Sequence, residues 1–357
     1  MGMSMIRDRR YDFYKGLLMI GVTYGHVLTT LQGASPVTFP LHQFVRTYDM
    51  PMFAFISGIF LNRSCQKHSA GVNLINKIGG ILFPCLIWDV IFNFCTAHFD
   101  FSVGRFWYTY SIFYVMAIII LIDRLGRSNK YFKFLLFMIS IAIFHTLIID
   151  RYKIGFLLAP AIVGYYYEGS RLQSFEKSDL RMSHIVKFLV LFIFVLLQCF
   201  WKLDYNVWNL GCDIFKDGNS YCLANILGIL FRFVIGILGC FVMKWFFDMI
   251  YDLVSLKPYV FWSFLKDHIC ELGMVTLEVY ILQCEMIIIG KRAVAVLIDI
   301  TTFNIFTINT NVFVYVIAPV VTVVSLYLLF YLQLMLKRVP LLGRYAFNIP
   351  LKNLVKR

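Results

Sequence analysis

Long apolar runs recur along almost the whole chain and constrain its fold more than any other feature. Runs of roughly 17–25 apolar residues are typical of membrane-spanning helices. Hydrophobic residues make up 60% of the 357-residue chain, which is more than the interior of a water-soluble fold holds. The runs lie at 13–31, 44–61, 78–96, 107–122, 132–149, 154–167, 185–201, 223–247, 274–298 and 312–336. The sequence therefore predicts an all-α, polytopic membrane helix bundle of about ten transmembrane helices, in one domain spanning residues 1–357.

The distribution of Lys and Arg between these runs predicts the orientation. If the N-terminus and every second connector are cytoplasmic, that side carries 20 Lys and Arg. The opposite connectors carry 5, namely Arg105, Arg151, Lys153, Lys202 and Lys216. Cytoplasmic connectors are enriched in these residues, so we expect both termini inside and a multi-pass protein of the inner (plasma) membrane. The net charge of +13 is then a topology signal, and a nucleic-acid partner is not predicted.

The first run carries the most informative polar residues. Asp12, Lys15, Met19, Val22 and His26 follow a 3-4-3-4 spacing, which places them on one face of a helix. Asp12 and Lys15 are spaced to form an ion pair, and His26 lies about 16 Å further along. An imidazole exchanges a proton near neutral pH, although a His hydrogen-bonded inside a bundle fits the spacing equally well. Lys15 also fits a side chain that extends to the cytoplasmic surface.

The second run contains Asp49, Pro51, Ser57 and Gly58. Pro51 is predicted to prevent a regular helix start, because proline lacks a backbone N–H. Gly58 permits a neighbouring backbone to approach closely.

Further ionisable residues interrupt later runs, and such residues are candidates for function. They are Asp89, Arg232, Glu278 and Glu285. Arg232 and one of the acids are predicted to form a buried ion pair, either structural or functional. The nine cysteines are dispersed and predict no metal site. Cys212 and Cys222 flank a turn-rich connector that is predicted to be non-cytoplasmic. They are predicted either to form a disulfide or to remain two free thiols.

Several motifs together resemble the acyltransferase-3 family of membrane-bound acyltransferases, especially bacterial polysaccharide O-acetyltransferases. The resemblance rests on residues 10–16 (RYDFYKG), Gly25-His26, residues 50–53 (MPMF) with Ser57-Gly58, and more faintly on Phe106-Trp107-Tyr108 and residues 273–280. The family pattern has a basic residue eleven positions before a His, which Lys15 and His26 match. Gln283 and Asp49 stand where many relatives have His.

The resemblance implies an enzyme that transfers an acyl group, most often acetyl, from cytoplasmic acyl-CoA to a hydroxyl of an extracytoplasmic or lipid-linked polysaccharide. It implies His26 and Asp12 as catalytic residues and Lys15 and Arg10 as contacts for acetyl-CoA. His26 is either a general base or a site of covalent acylation. The acceptor is expected to contact Asp49, Ser57, Trp107 and Glu278.

The same resemblance implies membrane lipid, a carbohydrate acceptor and acyl-CoA as partners, with homo-oligomerisation left open. A glycan or lipid transporter or flippase without acyl chemistry is the alternative, since buried charges also serve as gates.

Overall fold

The computed structural model describes most of the chain and leaves out several connectors. The described residues are 8–31, 40–96, 106–127, 129–146, 154–168, 170–176, 181–201, 223–256, 260–284, 286, 312–339, 342–343 and 346–347. Cys212, Cys222 and Glu285 lie outside them.

Helices account for the regular structure of the described residues. They are α1 Arg9–Leu31, α2 Pro40–Lys67, α3 Ala70–Lys77, α4 Phe83–Thr96, α5 Trp107–Leu125, α6 Lys130–Thr146, α7 Ile154–Tyr167, α8 Arg171–Glu176, α9 Arg181–Gln198, α10 Leu223–Leu256, α11 Val260–Met274 and α12 Ala318–Arg338. A π-helical turn, Ile78–Leu82, joins α3 to α4, and another, Phe313–Ile317, precedes α12. Residues 276–284 are also helical.

Four helical segments in the described parts are long and apolar enough to cross a membrane: Ala70–Phe94, Trp107–Leu125, Leu227–Leu256 and Phe313–Arg338. Large apolar side chains also point outward, such as Phe188 and Phe192 of α9 and Leu328 and Met335 of α12. Water disfavours such surfaces, and lipid accepts them. These features are consistent with a helical membrane protein, as the apolar runs indicate. The number of spans, the orientation and the single domain stay predictions.

The ninth predicted run, 274–298, is only partly described, and its residues 276–284 are helical. It begins at Met274, where α11 ends, and it is described only as far as residue 286. Helix α11 itself occupies a segment that the sequence interpretation treats as a charged connector, because Lys266, Asp267 and Glu271 interrupt its apolar residues. Its apolar remainder nevertheless packs along α1.

The chain forms two compact units. Unit 1 comprises Met1–Val37 and Met243–Leu336, and unit 2 comprises Thr38–Val242 and Lys337–Arg357. In unit 1, α1 packs against α11 through two glycines. A Cβ on Gly16 would overlap the carbonyl oxygen of Ile269, and a Cβ on Gly273 would overlap that of Asp12. Backbone therefore touches backbone at this crossing.

Unit 2 contains a second crossing of the same kind, between α2 and α7. A Cβ on Gly58 would overlap the carbonyl oxygen of Ala161, and a Cβ on Gly164 would overlap that of Phe55. The close approach predicted for Gly58 is confirmed. Each helix supplies the glycine that accommodates the carbonyl of the other.

We expect Gly164→Ala to destabilise the protein by about 1–3 kcal/mol, because the added methyl group forces α2 and α7 apart. Gly71→Ala is the matched control, since the space beside Gly71 in α3 is open. It should be neutral or stabilising by about 0.5–1 kcal/mol, as alanine favours helix. Unfolding by sodium dodecyl sulfate in mixed micelles, followed by circular dichroism, measures both. Equal stability of the two variants would contradict the tight crossing.

Candidate functional site

The N-terminal turn of α1 holds a charged cluster in unit 1. Arg10 reaches two carboxylates of α10, with Nη2 2.7 Å from Asp252 Oδ1 and Nη1 3.3 Å from Asp248 Oδ1. The hydroxyl of Tyr14 donates a hydrogen bond to Asp248, and Lys244 lies 2.9 Å from the other oxygen of that carboxylate. The contacts of Arg10 and Tyr14 with Asp248 link α1 to α10, while Lys244 pairs with Asp248 within α10.

Arg10 is therefore already paired. Burial lowers the pKa of Arg10, but the carboxylates of Asp252 and Asp248 outweigh that effect and raise it above its ordinary value. The guanidinium stays charged, and its donors face Asp248 and Asp252. Sequence reasoning missed both acids, since they lie some 240 residues away in the chain. Contact between Arg10 and acetyl-CoA stays a prediction, and it would require competition with two anions.

One turn further along α1, Asp12 and Lys15 form the ion pair that their spacing indicates. Lys15 Nζ lies 2.9 Å from Asp12 Oδ1. The Asp12 side chain is 3% exposed and that of Lys15 is 19% exposed. The Asp12 carboxylate is thus inside the unit, while the Lys15 side chain is partly exposed.

Deeper in unit 1, helical residues 276–284 lie beside α1. The hydroxyl of Thr23 is 2.9 Å from Gln283 Oε1 and 2.8 Å from the carbonyl oxygen of Met19. Among the described residues, the fully buried Gln283 Nε2 has no hydrogen-bond partner. His26 follows Thr23 by one turn and is half-buried. Glu278, half-buried as well, precedes Gln283 in the neighbouring helical segment.

Unit 1 thus contains Arg10, Asp12, Lys15, His26 and Glu278. The first four share α1, and the contact between Thr23 and Gln283 places residues 276–284 alongside its second half. Gln283 is the further candidate residue here. Its only sequence signal is that it replaces a His common in the resembled family.

In unit 2, α2 passes through Pro51 without a break, so the predicted irregular start at Pro51 is wrong. The helix begins at Pro40. Pro51 has no N–H for the carbonyl of Thr47, four residues earlier. Arg232 of α10 supplies the missing donor: its Nη1 lies 2.9 Å from the Thr47 oxygen and its Nη2 2.8 Å from the Arg46 oxygen. An arginine fork therefore completes the helix around the proline.

The surroundings of Arg232 explain how a charge is tolerated there. The side chain is buried, with Phe156 and Trp201 at 4.6 and 4.8 Å from its guanidinium carbon. Aromatic faces attract a desolvated cation. The hydrogen bonds of Arg232 go to backbone carbonyls, whereas the sequence pairs it with one of the acids Asp89, Glu278 and Glu285. A sequence search for acidic partners of Arg232 does not find these acceptors, because they are backbone carbonyl groups left without an N–H donor by Pro51.

The remaining predicted residues of the acceptor site share one part of unit 2. Tyr108 lies near both Ser57 and Asp49. Its ring centroid lies 5.9 Å from that of Trp107. Asp49 Oδ1 accepts a 2.6 Å hydrogen bond from the N–H of Met50, while Oδ2 is 3.9 Å from Arg46, too far for one. Tyr108, which the resemblance includes only as part of an aromatic motif, thus lies near Asp49, Ser57 and Trp107.

No family model, no curated protein and no solved structure matches the chain. Function is therefore inferred from the motifs of the sequence and from the geometry of the two units.

We expect Arg232→Lys to destabilise the protein by about 2–3 kcal/mol, because one ammonium group leaves a buried carbonyl without its donor. In a Pro51→Ala background the cost should fall by about 1 kcal/mol, since alanine at that position restores an N–H for the Thr47 carbonyl. A double-mutant cycle from detergent unfolding measures this coupling. Arg63→Lys is the control, because Arg63 pairs with the partly exposed Glu168. The same cost for Arg232→Lys in both backgrounds would disprove the link to Pro51.

Proposed function

We propose that the protein is a membrane-embedded acyltransferase that moves an acyl group, by preference acetyl, from cytoplasmic acyl-CoA to a hydroxyl of an extracytoplasmic or lipid-linked polysaccharide. One observation carries the proposal: α1 holds the Asp12–Lys15 ion pair and, on the same face about 16 Å further along, His26. This arrangement separates a site for an anionic donor from a group that can exchange a proton. The motif resemblance supplies the reaction class.

Lys15 is the residue in this arrangement best suited to the donor. A phosphate group attracts the ammonium group of this partly exposed side chain, and Asp12, buried beside it, holds that ammonium in place. Arg10 contributes to the same surface through its pairs with Asp248 and Asp252, which keep the first turn of α1 attached to α10. Arg10 therefore positions Lys15, and Lys15 is the residue that contacts the phosphate directly.

His26 is proposed as the general base. The imidazole takes the proton from the acceptor hydroxyl as the oxygen attacks the thioester carbonyl carbon. The carbon–sulfur bond then breaks, and the imidazolium returns the proton to the departing CoA thiolate, so that protons and electron pairs balance. In the second course, a His26 nitrogen attacks the thioester carbonyl carbon, and the carbon–sulfur bond breaks to release CoA. The acceptor hydroxyl then attacks the acyl-imidazole, the carbon–nitrogen bond breaks, and the hydroxyl proton passes to the released imidazole.

We expect His26→Ala to lower the rate of acyl transfer from acetyl-CoA by about 10²–10⁴-fold, because the hydroxyl loses its base. Purified protein in lipid nanodiscs, with release of free CoA as the readout, provides the measurement. His268→Ala is the control: this second half-buried His of unit 1 contacts the carbonyl oxygen of Phe264 in its own helix. Full activity of His26→Ala would remove His26 from the mechanism. Wild-type protein that releases no CoA would instead favour the transport alternative.

Lys15→Ala should raise the apparent KM for acetyl-CoA by about tenfold, equivalent to about 1.4 kcal/mol of lost phosphate interaction. Lys15→Arg should retain activity, since guanidinium also binds phosphate and pairs with Asp12. The KM of wild type for acetyl-CoA should also rise at high ionic strength, because salt weakens a phosphate contact. Unchanged KM in Lys15→Ala would leave Lys15 with a structural role only.

A further inference from the structure

A cavity of about 210 Å³ lies between α1, α11 and α12, within unit 1. Its walls are largely apolar and include Ile20 of α1, Leu265 and Leu272 of α11, and Leu326 and Phe330 of α12. In a soluble protein, a cavity of about 150 Å³ with Leu, Ile and Phe in its walls stays dry and binds benzene. The larger cavity of unit 1 therefore has the size and the lining for an apolar ligand.

The cavity is continuous with the outer apolar surface of α12. Val323 and Tyr327 line it, and they are 50% and 44% exposed. Leu328 and Tyr331, close to Tyr327 in α12, are exposed as well. This helix belongs to a segment that is long and apolar enough to cross a membrane, Phe313–Arg338, and lipid tails would cover its outer surface. A lipid tail can therefore reach the cavity from the side, without passing through water.

One end of the cavity lies at the charged start of α1. Helix α11 crosses α1 at Asp12, and Asp267 of α11 lies 2.9 Å from Arg9. Glu271, which also lines the cavity, follows Asp267 by one turn. Ile20, on another wall, lies eight residues beyond Asp12 and therefore about 12 Å further along α1. The cavity thus runs from a charged level of the unit into an apolar one, which matches the head group and the tail of a phospholipid.

Glu271 determines which head group suits this cavity. The residue is half-buried, and no described residue forms an ion pair or a hydrogen bond with its side chain. His268, which lines the cavity as well, contacts the carbonyl oxygen of Phe264 through Nδ1. An unpaired carboxylate beside an apolar cavity favours a cation and disfavours an anionic ligand. A carboxylate only accepts hydrogen bonds, so an ammonium group with N–H donors suits it better than a quaternary one.

We propose that the cavity binds an acyl chain of phosphatidylethanolamine, with the ammonium group of that lipid donating hydrogen bonds to the Glu271 carboxylate. Phosphatidylethanolamine combines the two features that the cavity requires, an apolar tail and a primary ammonium group. Such a site is independent of acyl transfer, because it requires only that unit 1 lies in a membrane. It adds a specific lipid, and a residue that recognises it, to the membrane setting of the chain.

Native mass spectrometry of the full-length protein in mild detergent tests the head group. Dioleoyl lipids with ethanolamine, choline or glycerol head groups are titrated separately, so that the tails are identical. We expect phosphatidylethanolamine to bind about tenfold more tightly than the other two, and Glu271→Gln to abolish this preference, because the charge that pairs with the ammonium is lost. Glu168→Gln is the matched control: Glu168 is also half-buried but is paired with Arg63, so the preference should remain.

A second pair of variants tests the cavity itself. Val323→Phe places a larger side chain in the cavity wall, and Val324→Phe makes the same change at an exposed neighbour that does not line it. We expect Val323→Phe to weaken phosphatidylethanolamine binding about tenfold, because the tail loses buried apolar contact. Val324→Phe should leave the affinity unchanged. Circular dichroism of all variants shows that weaker binding is not caused by misfolding.

Several outcomes would overturn this site. Equal binding of the three lipids by wild type, or a preference that survives in Glu271→Gln, would exclude the ammonium contact. Equal affinity of Val323→Phe and Val324→Phe for phosphatidylethanolamine would place the lipid elsewhere on the protein. Tighter binding of phosphatidylglycerol would assign the cavity to an anionic lipid. A protein dimer that excludes the lipid and is lost in Val323→Phe would assign it to a second copy of the chain.

Discussion

Helix α1 can carry functional groups because its backbone is held directly against another backbone. Gly16 and Gly273 remove the side chains that would otherwise separate α1 from α11, and the carbonyl oxygens of Ile269 and Asp12 occupy the space. Apolar burial alone does not orient a helix in lipid, where the tails are as apolar as leucine. Close packing at small residues does, and it fixes both the rotation and the depth of α1 within unit 1.

Unit 2 also contains a helix crossing at glycines. It has a second constraint, which is the free-energy cost of a backbone carbonyl without a hydrogen-bond donor. Glycines let α2 and α7 touch, and Pro51 nearby removes one N–H from α2. In a hydrocarbon environment no water is present to donate a hydrogen bond to an unpaired carbonyl group. Arg232 supplies two donors at once, which lysine cannot do with the same geometry. The charge of Arg232 is thus a structural requirement created by Pro51.

The parts of this structure that sequence predicts are those with a local cause. Apolar runs mark where most helices lie, the spacing of Asp12 and Lys15 predicts their ion pair, and Gly58 signals a close crossing. Each depends on residues within a few turns of one another. The parts that sequence missed depend on distant partners. Arg10 contacts Asp248 and Asp252, which lie far from it in the chain. No sequence spacing indicates that these opposite charges meet. The role of Arg232 was misassigned for the same reason, since its acceptors are carbonyl groups common to every residue. Asn93 shows the limit most clearly, because only the three-dimensional structure reveals that its amide is buried and unpaired.

A chemical division follows from these two kinds of residue. In unit 1 the candidate residues are charged, and most are paired with another side chain: Arg10 with two aspartates and Lys15 with Asp12. An anionic ligand at Lys15 would have to bind beside the Asp12 carboxylate rather than replace it, because separating a buried carboxylate from its cation is costly. In unit 2 the unpaired groups near α4 and α5 are neutral hydrogen-bonding groups in an apolar setting. Desolvating a phosphate there would be far more costly than desolvating a hydroxyl. The candidate residues of unit 1 and the unpaired groups on α4 and α5 therefore differ in chemistry, the former mostly charged and the latter neutral.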